Sequence, residues 1–129
     1  MFFSLRTLFF AASSRRNMRK EASKLRRQAK SLDLQSHFQI GRLLARYEPQ
    51  ISQEDFTLLC VATATTLGVP LATLEEEVML TEYLDSVKYV DFAVLLETLF
   101  SIETNEWELD DLDTFEEVLG FVVSKLNSN

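Results

Sequence analysis

The chain has 129 residues and a formal net charge of −7, with 47% hydrophobic and 26% charged residues. This length suits one domain, or one small domain with an extension, and the composition excludes collagen-like, low-complexity and wholly disordered chains. One cysteine excludes a disulfide framework, no apolar run reaches the ~20 residues of a membrane-spanning helix, and three glycines with two prolines favour an all-α protein over an all-β one.

Charge divides the chain into two parts near Glu48-Pro49-Gln50. Residues 1–50 contain eleven Lys and Arg against three acids, a net charge of +8, and residues 51–129 contain two bases against seventeen acids, a net charge of −15. This polarity predicts a basic N-terminal extension over residues 1–50 and a folded acidic domain over residues 51–129. The acidic domain is repelled by nucleic acid, so nucleic acid is not an expected partner.

The first twenty residues have the composition of a targeting segment. Residues 1–20 are apolar, contain Ser and Arg and lack acids, which is typical of a mitochondrial presequence. The apolar run Leu8–Ala12 is too short for a secretory signal, and a start of translation at Met18 is the alternative. We expect a cytoplasmic protein, or a mitochondrial matrix protein if residues 1–20 are a presequence.

The rest of the basic extension is expected to be helical over about residues 19–47, with Leu25, Ala29 and Leu32 on one face. A basic amphipathic helix binds RNA, a membrane surface or its own acidic domain. We favour a solvated basic face, or contact with the acidic domain, because that domain is within reach at ordinary salt, where screening acts over ~8 Å. A membrane surface stays open as the alternative contact.

The acidic domain is predicted to begin with a helix capped by Ser52 and ended by Gly68. Cys60 lies on the apolar stripe of this helix, which indicates a core residue rather than a nucleophile. A long loop follows over residues 69–84, with the acid run 75–77 on its surface and Val78, Leu80 and Leu84 on the core.

The last helix is predicted from about Thr114 to Leu126, because Thr114 and Glu117 have capping-box spacing. Residues 101–113 are expected to contain one short helical turn. The acids of residues 110–113 lack the glycine and the glutamate of a calcium loop, so no metal site is expected.

The helix Ser86–Phe100 is predicted to have two apolar faces and an N-cap at Asp85. One wide arc is a core face. The opposite arc is predicted to be a partner-docking surface, because its valines are rimmed by acids. A helix buried on both sides, beneath the basic extension, is the alternative. The predicted docking residues are Val87, Val90, Asp91, Val94 and Glu97.

Residues 52–126 resemble the acyl carrier protein family, the phosphopantetheine-binding carrier domains. The run Leu84-Asp85-Ser86-Val87 looks like the family's Asp-Ser-Leu/Met attachment motif, and Thr114-Phe115 matches the Thr-Val opening of its fourth helix. The motif departs from fatty-acid carriers at Val87, Lys88 and Tyr83-Leu84, and its Leu-Asp-Ser form is closer to that of D-alanyl carrier proteins. The resemblance covers about three-fifths of the chain and implies a small four-helix acyl-carrier-like bundle with a long loop between the first two helices.

The resemblance implies a non-catalytic carrier. A phosphopantetheinyl transferase would attach 4′-phosphopantetheine from coenzyme A to Ser86, and the thiol of that arm would hold an acyl or aminoacyl group as a thioester. Asp85 would orient the serine region, and the docking residues would meet basic patches on loading and transferring enzymes. No catalytic residue is expected, because no His, Cys, Asp and Glu constellation accompanies Ser86. The alternative is an unmodified carrier-like helical adaptor in which Ser86 only begins a helix.

Overall fold

A computed structural model describes residues 12–33, 38–74, 78–104, 108 and 111–128. Within these residues the chain forms five α-helices and no strand, and two 3-10 turns lie at Leu71–Thr73 and Leu80–Glu82. The all-α prediction is therefore confirmed for the described residues. The finer prediction of a four-helix acyl-carrier-like bundle stays a prediction. The helices are α1 Ala12–Lys30, α2 Phe38–Tyr47, α3 Gln53–Leu67, α4 Ser86–Phe100 and α5 Phe115–Leu126.

Capping side chains begin three of these helices at the predicted positions. The Ser52 hydroxyl accepts a hydrogen bond from the Asp55 N–H at 3.1 Å at the start of α3, and Asp85 caps α4. Thr114 begins α5 with a complete capping box. Each cap satisfies an N–H group that has no partner inside its helix. At the other end of α3, Gly68 adopts the left-handed conformation with φ 73°, which glycine reaches without a Cβ penalty.

The prediction of one continuous helix over residues 19–47 is wrong. The basic extension forms two helices, α1 and α2; residues 31–33 after α1 are not helical, and residues 34–37 lie outside the described part. The Ser31 hydroxyl donates to the Gln28 carbonyl at 3.0 Å, and the Leu32 N–H donates to the Ala29 carbonyl at 3.2 Å. These bonds to residues three positions back tighten the last turn and end α1.

One hydrophobic core joins the two charge segments. Ala22 and Leu25 on α1 are fully buried, and Ile40 and Leu43 on α2 are nearly so. All four belong to the same buried cluster as the apolar residues of α3, α4 and α5. Helix α1 packs against α3 and α4. The apolar face of the basic extension thus lies on the acidic segment, which is one of the two arrangements that the sequence favours, whereas the division into two domains stays a prediction.

The segment between α3 and α4 lies on the core through several leucines. Leu80 is fully buried, Leu84 is 7% exposed and Val78 is half-buried, as the sequence predicts. Leu74 is buried as well. The acid run 75–77 lies outside the described residues. Much of the turn predicted between α4 and α5 does too, namely residues 105–107 and 109–110.

Candidate functional site

The candidate site is the start of α4, and backbone hydrogen bonds to the start of α5 position it. The Leu80 N–H donates to the Asp113 carbonyl at 2.7 Å, and the Phe115 N–H donates to the Val78 carbonyl at 3.0 Å. The Tyr89 hydroxyl, one turn into α4, donates to the Leu112 carbonyl. The chain is therefore bonded to residues 112–115 both before and after Ser86.

Asp85 and Ser86 form the junction between this segment and α4. Asp85 has extended backbone angles, φ −80° and ψ 177°, and its Oδ1 atom accepts a hydrogen bond from the Lys88 N–H at 2.8 Å. Ser86 is the first residue of α4, and its side chain lies outside the described part of the structure. The free N–H groups and the positive end of the helix dipole favour an anion at this position. A phosphate ester on Ser86 would be electrostatically compatible with it.

Two exposed apolar side chains flank Ser86. Tyr83 is 43% exposed and Val87 is 39% exposed, and they are the large hydrophobic residues that the described part of the chain leaves exposed. The sequence analysis predicts exposure for Val87 and overlooks Tyr83. Tyr83 ends the 3-10 turn Leu80–Glu82 with helical backbone angles, φ −116° and ψ −24°, so strand-like alternation gives no signal for its exposure. The start of α4 therefore has exposed apolar side chains on both sides of Ser86 along the chain.

Exposed carboxylates lie close in the chain to these two apolar residues. Asp85 and Asp91 are both exposed, as is the single nearby base, Lys88. Partial desolvation raises the pKa of the Asp91 carboxyl, and the negative charge of Asp85 raises it further. At the start of α4, partial burial and the charge of Asp85 therefore disfavour the ionised form of Asp91.

The predicted docking surface is narrower than the sequence indicates. Val90 is 3% exposed, so its predicted exposure is wrong. Val94 and Glu97 are half-buried, and the Glu97 carboxylate accepts bonds from the Thr104 N–H at 2.9 Å and the Thr104 hydroxyl at 3.1 Å. The physical reason is that both α1 and α3 pack against α4, which widens its buried arc. Val87 and Asp91 are the predicted docking residues that remain exposed.

The opposite end of α4 is bound by the basic extension. The Arg26 guanidinium of α1 donates to the Thr98 carbonyl at 3.2 Å and to the Leu99 carbonyl at 3.4 Å, which are carbonyls of the last helical turn. An open groove of about 730 Å³ lies here, lined by residues of α1, α3 and α4. It is separated from Ser86 by thirteen residues, about 20 Å along the helix, so it is not part of the candidate site.

Among the described residues, neither Cys60 nor a metal-holding group of side chains provides an alternative reactive centre. Cys60 is fully buried in the core, and burial raises the pKa of its thiol far above the usual range, which keeps it protonated. Among the residues that the structure describes, no group of three or more His, Cys, Asp or Glu is arranged to hold a metal ion. Nor does any helix in the described ranges combine the length and apolar character needed to cross a bilayer.

Comparison of the chain with models of protein families gave no match, and comparisons with curated proteins and with solved structures gave none either. The chemistry available at the start of α4 is therefore the basis for assigning a function. That chemistry consists of a serine at a helix N-terminus, an aspartate cap, two exposed apolar side chains and two exposed carboxylates.

Proposed function

We propose that this protein is a carrier that holds an acyl or aminoacyl group as a thioester on a 4′-phosphopantetheine arm attached to Ser86. The observation that carries the proposal is the position of Ser86. It begins α4 directly after its Asp85 cap, and Tyr83 and Val87, close to it in the chain, have exposed side chains. The resemblance of Leu84-Asp85-Ser86-Val87 to the carrier attachment motif agrees with this position.

The attachment is a phosphoryl-group transfer in which atoms and charge balance. The Ser86 oxygen would bond to the phosphorus that bears the pantetheine group of coenzyme A. The pyrophosphate bond breaks, adenosine 3′,5′-bisphosphate leaves, and the serine proton passes to a base of the transferase. The arm would then supply the thiol chemistry, while the protein supplies position and recognition.

The surroundings of Ser86 suit an enzyme partner with an apolar contact and a basic patch. Tyr83 and Val87 provide exposed apolar area, and Asp85 and Asp91 provide exposed negative charge beside it. Electrostatic attraction of this kind gives fast association and modest affinity, which a shuttle between several enzymes requires. The helix N-terminus would also favour the phosphodiester of the arm.

The test is the intact mass of the full chain after incubation with coenzyme A, Mg²⁺ and a broad-specificity phosphopantetheinyl transferase. We expect the wild-type chain to gain one phosphopantetheine group and Ser86→Ala to gain none. Ser124→Ala removes an exposed serine of α5 and is the matched control, so it should load like the wild type.

Two further transferases are used as well, because a single transferase can fail to recognise a given carrier. Failure of all of them to load a chain shown by circular dichroism to be helical would overturn the proposal. It would favour the unmodified helical adaptor, which acts through the same exposed surface without an arm. Loading of Ser86→Ala would contradict the assignment of Ser86.

A further inference from the structure

The outer side of α1 is densely basic. Six of the twelve residues from 19 to 30 are Lys or Arg, and all six are exposed. They extend over about 17 Å of helix, so they form an extended face rather than a pocket that converges on one small anion. We call this face the basic ridge; its residues are Arg19, Lys20, Lys24, Arg26, Arg27 and Lys30.

The basic ridge keeps its charge largely unneutralised within the part of the chain that the structure describes. No ion pair joins its residues to a carboxylate there. Arg26 donates to carbonyls at the end of α4, and Arg26 and Lys30 share the open groove with Glu54 and Asp55. The other four bases do not line that groove. The ridge therefore attracts an anionic surface that this fold does not itself place against it.

The surroundings of the ridge favour a compact acidic surface over a bilayer or a nucleic acid. Ala22 and Leu25 of α1 are fully buried, so the helix keeps no apolar face to insert into lipid. Glu54 and Asp55 lie beside the Lys30 end of the ridge. A polyanion that extends beyond the ridge would approach these carboxylates, and the net charge of −7 would repel it as well. An anionic surface no longer than the ridge avoids both penalties.

The chain itself presents such a surface at the start of α4. Hydrogen bonds from Leu80 and Tyr89 to the carbonyls of residues 112–113 place that segment next to α4. The two segments together carry five exposed carboxylates and one exposed ammonium group, that of Lys88. We call these carboxylates the acidic surface; they belong to Glu82, Asp85, Asp91, Asp111 and Asp113.

We propose that the basic ridge of one copy docks on the acidic surface of a second copy of this chain. The two surfaces are opposite in charge, and the aliphatic stems of Lys and Arg would pack on Tyr83 and Val87, which are exposed in the same stretch. The Tyr83 ring would also attract a guanidinium. Screening at about 0.1 M salt acts over about 10 Å, so it weakens the repulsion between whole copies more than the attraction across the contact.

This inference does not depend on the modification of Ser86. The acidic surface includes Asp85 and Asp91, which an enzyme partner of Ser86 would also contact. Self-association and enzyme docking would therefore exclude each other at the start of α4.

The test is the average mass of the full chain by sedimentation equilibrium, from about 10 µM to about 1 mM protein and at about 0.1 M and about 1 M salt. We expect a mass above the monomer mass of 14.9 kDa at the lower salt and close to it at the higher salt. The ridge variant Lys20→Gln, Lys24→Gln, Arg27→Gln should weaken association about tenfold or more, because each exposed ion pair contributes up to about a factor of five.

Mixing two variants identifies the two surfaces. The acidic-surface variant Glu82→Gln, Asp91→Asn, Asp111→Asn keeps its basic ridge, and the ridge variant keeps its acidic surface. Each variant alone should be mostly monomeric, whereas an equimolar mixture should regain association with a limiting mass of twice the monomer. Recovery in the mixture also shows that both variants are folded.

The matched control Ala45→Glu, Thr65→Glu, Ser124→Glu lowers the net charge by the same three units as the ridge variant, at exposed positions outside both surfaces. It should associate like the wild type. A monomeric wild type at every concentration, an equal loss in the control, or no recovery in the mixture would overturn the proposal. A monomeric chain whose ridge variant loses binding to single-stranded RNA or to phosphatidylserine vesicles would assign the ridge to an extended polyanion instead.

Discussion

Asp85 combines a structural and an electrostatic effect at the candidate site. Its carboxylate caps α4 through the Lys88 N–H at 2.8 Å. The same negative charge, added to partial desolvation, raises the pKa of Asp91. The start of α4 therefore keeps a pair of acids that oppose each other. Such a pair costs stability, and retaining it is expected where a negative surface is needed for recognition.

Removal of the Asp91 charge is predicted to stabilise the protein in a pH-dependent way. Because the folded-state pKa of Asp91 lies above its ordinary value, the folded chain binds this proton more tightly than the unfolded chain. The resulting penalty on folding is complete above the folded-state pKa and absent below the unfolded-state pKa of about 3.9. We expect Asp91→Asn to raise the urea midpoint at about pH 7 and to have no such effect near pH 3.

The control for this prediction is Asp111→Asn, which removes an exposed carboxylate outside the pair. A similar gain from both variants at neutral pH would show that the effect comes from net charge alone. A gain from Asp91→Asn that persists at low pH would show that the side-chain shape, and not the carboxylate charge, is responsible.

At the scale of the element, α4 is a helix buried over most of its circumference. Its residues Tyr89, Phe92, Leu96 and Phe100 form the expected core face, and Val90 is buried outside that face. Exposure is limited to a short surface near the first two turns, where Val87 and Asp91 lie. A partner of α4 would therefore contact its beginning rather than its whole length.

The two valines of the first turns are predicted to respond differently to truncation. Val90→Ala removes two buried methyl groups and should lower the free energy of unfolding by about 2 kcal/mol. Val87→Ala changes a partly exposed side chain and should alter it by less than about 0.5 kcal/mol, while slowing the loading of Ser86 by a transferase. Urea unfolding and intact-mass kinetics measure the two effects. Equal destabilisation by both variants would contradict the assigned burial.

The helix ends could be predicted from the sequence because their signals are local. Ser52, Asp85 and Thr114 are caps whose hydrogen bonds lie within three residues, and Gly68 supplies the left-handed residue that ends α3. The break after Lys30 escaped prediction, because apolar residues continue at helical spacing through it. The side-chain chemistry of Ser86 stays a prediction.

No local pattern in the sequence indicates that Val90 is buried. Which side of α4 is covered depends on where α1 and α3 pack, and the spacing of residues within α4 carries no information about that. The exposure of Tyr83 and the bond from Arg26 to the end of α4 escaped prediction for the same reason. The sequence thus predicts where the elements are, and tertiary packing decides which of their faces remain available.

For the whole molecule, the decisive feature is the core shared by the two charge segments. Ala22 and Leu25 of the basic extension are fully buried in the same cluster as Phe56 of α3 and Leu96 of α4. The Arg26 bonds to Thr98 and Leu99 add a polar contact between the same two segments. Opposite net charges therefore coexist in one packed unit, and the basic helix contributes to the stability of the acidic part.

Truncation of Leu25 is predicted to destabilise the entire protein. Leu25→Ala creates a cavity at a fully buried site and should lower the free energy of unfolding by about 2–5 kcal/mol. Unfolding should remain a single transition when it is followed by far-ultraviolet and by near-ultraviolet circular dichroism. Lys24→Ala, at the exposed neighbouring position, is the control and should change stability by less than about 0.5 kcal/mol. Two separate transitions would show that α1 is an independent attachment.

The contact between Arg26 and Leu99 joins residues that are 73 positions apart. At a synthesis rate of about 5–20 residues per second, a ribosome completes α1 about 4–15 s before it completes the end of α4. During that interval α4, one of the two helices that cover the apolar side of α1, is still incomplete. The nascent chain thus presents a partly uncovered amphipathic basic helix for several seconds, and a chaperone or targeting factor has that time to recognise a surface that the finished protein conceals.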